Sequence, residues 1–249
     1  MTRNRVWLAP VTAIAGIAVL LLSSTLGLTA GAATGHSQAG ASASACGQAR
    51  VPLGASGHFR ILAGTTITNT GNTVITGSIG LSPGSAITGF PPGTVSGKMA
   101  VADTAASNGQ ASLLVAYNNA MGRTNCPTLV SGNLGGKTLG PGLYHSSSSL
   151  SISSGALTLN AHGNRGAIFI FQISSKFTMT SGRTVVLAGG AQAANVYWVI
   201  GTSATLGTTA VLYGTILAHK SISMATGATL HGRALAQIGA VTLADNTVS

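Results

Sequence analysis

The chain is 249 residues long and only 6% of them are charged, with 12 Lys and Arg against 2 acids, a formal charge of +10 and an isoelectric point near 10.7. Asp103 and Asp245 are the only acidic side chains and there is no Glu, which excludes the carboxylate pairs and calcium sites on which polysaccharide lyases and hydrolases depend. The basic residues Arg60, Lys98, Arg123, Lys137, Arg165, Lys176, Arg183, Lys220 and Arg233 form no run and do not alternate with aromatics; this argues against a nucleic-acid partner and leaves an attraction to anionic cell-wall polymers or lipid headgroups.

At the start of the chain, Arg3 and Arg5 precede an apolar run over residues 6–28 and then the small-residue stretch T-A-G-A-A-T-G. This is the pattern of a secretory signal over residues 1–32, cleaved after Ala32 or after Ala45. The run is also long enough to serve as an uncleaved membrane anchor. A secreted, extracellular protein is the expectation. Cys46 follows A-S-A, but no Leu stands three residues before it and the apolar run ends too early for a lipoprotein site. Residues 33–50, rich in Ala, Ser, Gly and Gln, read as a flexible linker. Cys46 and Cys126 are expected to pair in an exported chain, and closing so long a loop adds roughly 4 kcal/mol on chain-entropy grounds.

The folded domain is expected over residues 51–249. In F-R-I-L-A-G-T-T-I-T-N-T-G-N-T-V-I-T-G-S-I-G-L-S-P-G, residues 59–84, β-branched residues are punctuated by Gly, Asn or Pro, as in short strands joined by tight turns. Pro91 and Pro92 make residues 85–95 a loop. Over residues 98–121, Met99, Ala102, Ala106, Leu113, Ala116, Tyr117 and Ala120 recur at helical spacing and Gly122 supplies a stop, so one long α-helix is predicted there. Asn108 and Gly109 weaken its middle. A lone amphipathic helix in a β-rich chain must lie along the side of the strands.

From residue 133 strands resume, and the last third repeats itself. S-A-T-L-G-T-T-A-V-L-Y-G (203–214), S-I-S-M-A-T-G-A-T-L-H-G (221–232) and A-V-T-L-A-D-N-T-V-S (240–249) are variants of one unit about eighteen residues long, the mark of a solenoid of stacked short strands. S-L-S-I-S-S-G (149–155) and K-F-T-M-T-S-G (176–182) extend the alignment backwards. One hydroxyl position then recurs at Ser151, Thr178, Thr205, Ser223 and Thr242. Its neighbours Leu150, Phe177, Ala204, Ile222 and Val241 on one side, and Ile152, Met179, Leu206, Met224 and Leu243 on the other, share the opposite face of each strand and point inward. Two residues before the hydroxyl, facing outward with it, stand Ser149, Lys176, Ser203, Ser221 and Ala240. Thr66 and Thr68 can extend this surface, in a register that local spacing leaves open.

Together with I-T-G-F-P-P-G-T-V, L-G-G-K-T-L-G-P-G-L-Y, A-I-F-I-F-Q-I, G-G-A-Q-A-A-N-V-Y-W-V-I-G, G-T-I-L-A and G-R-A-L-A, these segments resemble, in order and from about residue 51 to the end, the bacterial and fungal ice-binding-protein-like family, the DUF3494 domain. The resemblance implies a mainly β fold: a discontinuous right-handed β-helix, a triangular solenoid with one long α-helix packed alongside and N-terminal strands inserted out of sequence order. It also implies adsorption to an ice crystal surface through a flat face of short side chains, by a non-enzymatic protein acting as a monomer. The surface expected to do this is the Ser151, Thr178, Thr205, Ser223, Thr242 column with Ser149, Ser203, Ser221 and Ala240 beside it. Lys176 departs from the pattern, since a long cation disturbs a flat face.

Thr and Ser also line solvent-facing strands that bind nothing, and a non-catalytic adhesin or wall-associated module would use the same scaffold. No cofactor and no metal site is expected: His36, His58, His145, His162, His219 and His231 are too widely spaced for a ligand pattern, and no G-x-S-x-G nucleophile motif occurs.

Overall fold

The computed structural model describes residues 46–249. The expected signal segment, both cleavage positions and residues 33–45 of the expected linker lie outside the described residues. Within them the backbone winds into coils of three short strands, and equivalent strands of successive coils pair in parallel to build three faces. One face is an eight-stranded parallel sheet carrying the repeated hydroxyl. A second lies under the helix, and the third completes the triangle.

The inward rows predicted from the repeat are the core. Leu150, Phe177, Ala204, Ile222 and Val241, and Ile152, Met179, Leu206, Met224 and Leu243, are all buried. Inside the helix face, Tyr144, Phe171 and Trp198 stand in register on adjacent strands and stack, with ring centroids 5.0 Å apart for Tyr144 and Phe171 and 4.2 Å for Phe171 and Trp198. Such stacked aromatics stabilise beyond what the burial of their area gives. Strands of the helix face are buried along their whole length, such as Val196–Ile200, an unbroken apolar run, and Phe169–Ile173, interrupted only by Gln172, because both sides of this sheet are covered. Their outer side chains, including Val199, Leu217, Leu235 and Leu62, form a second buried cluster with Leu113, Ala116 and Ala120 of the helix.

The strands Val211–Ala218 and Thr229–Ala236 pass from the third face to the helix face without a break, bending at Gly214 and Gly232. A Cβ on Gly232 would lie 1.8 Å from the Gly214 carbonyl oxygen, so the stacked corner has room only for glycine.

Strand order departs from chain order once. Coils formed by residues 59–95 stack onto the end of the C-terminal coil, with Ile61 beside Ala234, Ile67 beside Val241 and Val74 beside Thr247. The chain then returns along the helix face to the opposite end of the stack and starts again at Pro127–Leu129.

That return is the helix, Thr104–Met121, and it is shorter than the expected 98–121. Met99–Val101 instead forms a strand beside Ile79, Gly80 and Leu81. Asp103 sets the start: its Oδ1 accepts the backbone N–H of Ala106 at 2.8 Å, an N-cap. Ala106, Gly109, Leu113, Ala116 and Ala120 are the buried stripe. Gly109, a weak helix former, sits where a Cβ would come within 2.8 Å of the Phe59 ring. Close packing of the helix onto the sheet thus overrides propensity at this position.

Residues 46–50, expected to belong to a flexible linker, are tied down. Cys46 and Cys126 are disulfide-bonded, Gln48 Nε2 donates to the Asn125 carbonyl at 3.0 Å, and the Arg123 guanidinium donates to the carbonyls of Ala49 and Arg50.

Candidate functional site

Pairing registers fix the geometry of the hydroxyl face. Ser151 is beside Thr178, Thr178 beside Thr205, Thr205 beside Ser223 and Ser223 beside Thr242, all on parallel strands. Thr68 continues the column next to Thr242, and Thr88 follows Thr68. Asn133 closes it at the other end beside Ser151. The open register of the N-terminal threonines is thereby resolved: Thr68 belongs to the main column and Thr66, beside Ala86, to the neighbouring one. Neighbouring strands lie about 4.8 Å apart, so the column presents one short polar group at that interval along the whole stack.

Side chains in the column divide by what their hydroxyls touch. Thr68 Oγ1 donates to Thr242 Oγ1 at 3.4 Å and Ser151 Oγ to the Gly132 carbonyl at 3.4 Å. The hydroxyls of Thr178, Thr205 and Ser223 bond to no group among the described residues, which leaves them to water. Thr holds its hydroxyl and methyl in few rotamers, so its water is held with little conformational freedom to lose.

In the neighbouring column the serines have a different role. Ser149 Oγ accepts from Lys176 N–H at 3.3 Å, Ser203 Oγ from Ser221 N–H at 3.3 Å and Ser221 Oγ from Ala240 N–H at 3.2 Å. Each hydroxyl ties one coil to the next and is drawn toward the backbone, which keeps this column low. Lys176, exposed between Ser149 and Ser203, is the one long side chain in it. Two residues beyond the main column, Thr180, Gly207, Ala225, Ala244 and Thr70 form a third row, again short. The face is therefore three rows wide, with Lys176 as its only charge.

The third face carries a row that the repeat did not bring out. Thr94, Val74, Thr247, Thr229, Val211 and Thr184 are successive partners, and Val74 is 48% exposed. Thr and Val are nearly isosteric, so this row is regular in shape while its hydroxyl pattern is broken; reading it as a series of β-branched residues would have found it. Its width is limited, because two residues along the same strands Tyr213 stacks on His231 with centroids 4.7 Å apart, a raised feature.

Among the described residues no group of three or more His, Cys, Asp or Glu is placed to hold a metal ion. Three of the histidines make local pairs: His145 with Gln172, His219 with Gln237 and His231 with Ser249.

A three-faced parallel β-helix, braced by one helix and exposing a broad, nearly uncharged face of short side chains, places the described residues in the class of helix-braced β-solenoids. The chain belongs to the Ice-binding-like family, whose profile matches residues 61–249. It is 46% identical over 198 residues to an ice-binding protein of Nostoc sp. (strain HG1), covering 79% of this chain and 73% of that one. It is 37% identical over 214 residues to an ice-binding protein of Flavobacterium frigoris (strain PS1), covering 80% and 76%. Among solved structures, the crystal structure of an ice binding protein from an Antarctic biological consortium superposes with a TM-score of 0.80 at 49% identity, over 81% of this chain and 91% of that one. An ice-binding protein of the Antarctic ascomycete Antarctomyces psychrotrophicus gives 0.76 at 35% identity, over 81% and 98%.

Proposed function

We propose that this protein is exported and adsorbs to ice as a monomer through the face carrying Ser151, Thr178, Thr205, Ser223 and Thr242, continued by Thr68 and Thr88. One observation carries the reading: the hydroxyl column keeps its register over seven of the eight strands of a parallel sheet, with Asn133 on the eighth and no charged residue in it. The names of the relatives agree with it. Export is supported by the signal-like pattern of residues 1–32 and by the Cys46–Cys126 disulfide, which belongs in an oxidising compartment.

The mechanism involves no bond making. Water ordered over the rigid rows joins a growing crystal, ice bulges between adsorbed molecules, and the curved front melts at a lower temperature. Rigidity comes from the β-helix, so little conformational entropy is lost on adsorption. Slow growth of a polycrystalline ice shell in a dilute solution of the protein tests the reading: the protein should enter the ice fraction and show a freezing point below its melting point. Exclusion of the protein from ice, with no such gap, would overturn it.

A further inference from the structure

Away from the hydroxyl face, two arginines are held side by side where the third face meets the helix face. Ile61 pairs with Ala234, so the preceding residues, Arg60 and Arg233, are direct neighbours on adjacent parallel strands. Like charges in that position repel. Arg60 is also the extra residue of a β-bulge, because Phe59 pairs with Ser78 and Ile61 with Ile79; bulges re-aim side chains. Its side chain lies over Gly77, where a Cβ would come within 2.6 Å of Arg60 Cγ, so glycine leaves the space that it occupies.

Both guanidinium groups are fixed by backbone carbonyls. Arg60 Nε donates to Thr76 at 3.1 Å and its Nη1 to Gly232 at 3.3 Å, and Arg233 Nε donates to Gly57 at 3.0 Å. The remaining Nη–H groups are free to face a cavity of about 210 Å³, which both arginines line together with Thr215, His231 and Ser249. Among the described residues neither arginine forms an ion pair. The only two acidic side chains are engaged elsewhere, Asp103 at the helix N-cap and Asp245 on the Asn72 N–H; the carboxylate of Ser249, which accepts the Gly232 N–H at 2.8 Å, lines the cavity without an ion pair to either arginine. Burial foremost, then the charge of Arg60, pushes the Arg233 pKa down, against an opposing pull from Tyr197.

Two half-buried, pre-positioned guanidinium forks that are ion-paired with no anion among the described residues form a receptor for one, since planar forks bind tetrahedral or carboxylate oxygens in bidentate fashion. We propose that Arg60 and Arg233 form a binding site for a phosphate or sulfate oxyanion, free or carried as an ester on an extracellular polymer, separate from the hydroxyl face.

Inorganic phosphate and sulfate titrated calorimetrically at constant ionic strength provide the test. The wild type should show saturable binding, and Arg60→Gln or Arg233→Gln should weaken it at least about tenfold, while Lys137→Gln leaves it unchanged. Arg233→Lys, which keeps the charge and loses the fork, should also weaken it, and it serves if a Gln variant does not fold. Thermal melts supply a second readout: phosphate should raise the wild-type midpoint more than chloride of equal ionic strength and lose that advantage in Arg233→Gln. Dextran sulfate against plain dextran identifies the source, since tighter binding of the sulfated polymer through the same arginines assigns an ester and equal binding assigns the free ion. Absence of saturable phosphate and sulfate binding, or unchanged binding in both Gln variants, would overturn the proposal. Ice partitioning should be the same in all these variants, so this result and that of the ice experiment are read independently.

Discussion

At the scale of single residues, the hydroxyl face is legible in the sequence because each coil repeats the same few atoms. Ser151, Thr178, Thr205, Ser223 and Thr242 fall into one column on spacing alone, and their registers in the sheet are the ones that spacing implies. What spacing cannot supply is where a hydroxyl points: Ser203 and Ser221 read like the column residues, yet their oxygens accept backbone N–H groups of the next coil. Lys176 is the position where residue chemistry and the proposed role conflict. Replacing it, Lys176→Thr, should enlarge the gap between freezing and melting points measured by nanolitre osmometry. As a surface change it should move stability by less than about 0.5 kcal/mol.

At the scale of elements, the helix shows what local pattern captures and what it misses. Its buried stripe of Ala106, Leu113, Ala116 and Ala120 follows from periodicity. Its first turn does not, because Met99, Ala100 and Val101 are apolar at either period and only pairing with Ile79–Leu81 makes them a strand. Gly109 gives a prediction that separates propensity from packing. Gly109→Ala gains about 1 kcal/mol of helix propensity but places a Cβ 2.8 Å from the buried Phe59 ring. Overpacking typically costs about 1–3 kcal/mol, so denaturant melts should show net destabilisation. Leu113→Ala, at a fully buried position where the helix meets the sheet, should cost about 2–5 kcal/mol by the same measurement.

At the scale of the whole molecule, the pairing of residues 59–95 with the C-terminal coil joins segments such as Ile67 and Val241 that are remote in the chain. No local period encodes that insertion; family resemblance implied it. The row on the third face was also hidden, because it mixes Thr with Val and is built from strands inserted at different points of the chain. The Cys46–Cys126 disulfide, spanning 80 residues, holds the N-terminal segment beside the end of the stack opposite the inserted coils. Replacing both cysteines by Ser should lower stability by roughly 4 kcal/mol. Ice partitioning near freezing should be retained, since neither residue touches the hydroxyl face.

Adsorption to ice by the hydroxyl face, and not by the third face, is tested by two double variants. Freezing and melting points should be measured for Thr205→Tyr with Ser223→Tyr, and for Thr229→Tyr with Thr247→Tyr on the third face, with thermal melts to verify that both are folded. The first pair should abolish the gap between freezing and melting points while leaving the unfolding midpoint nearly unchanged, and the second should retain most of it. Full activity in the Thr205, Ser223 pair, with loss in the Thr229, Thr247 pair, would contradict the assignment and move the adsorbing surface to the third face.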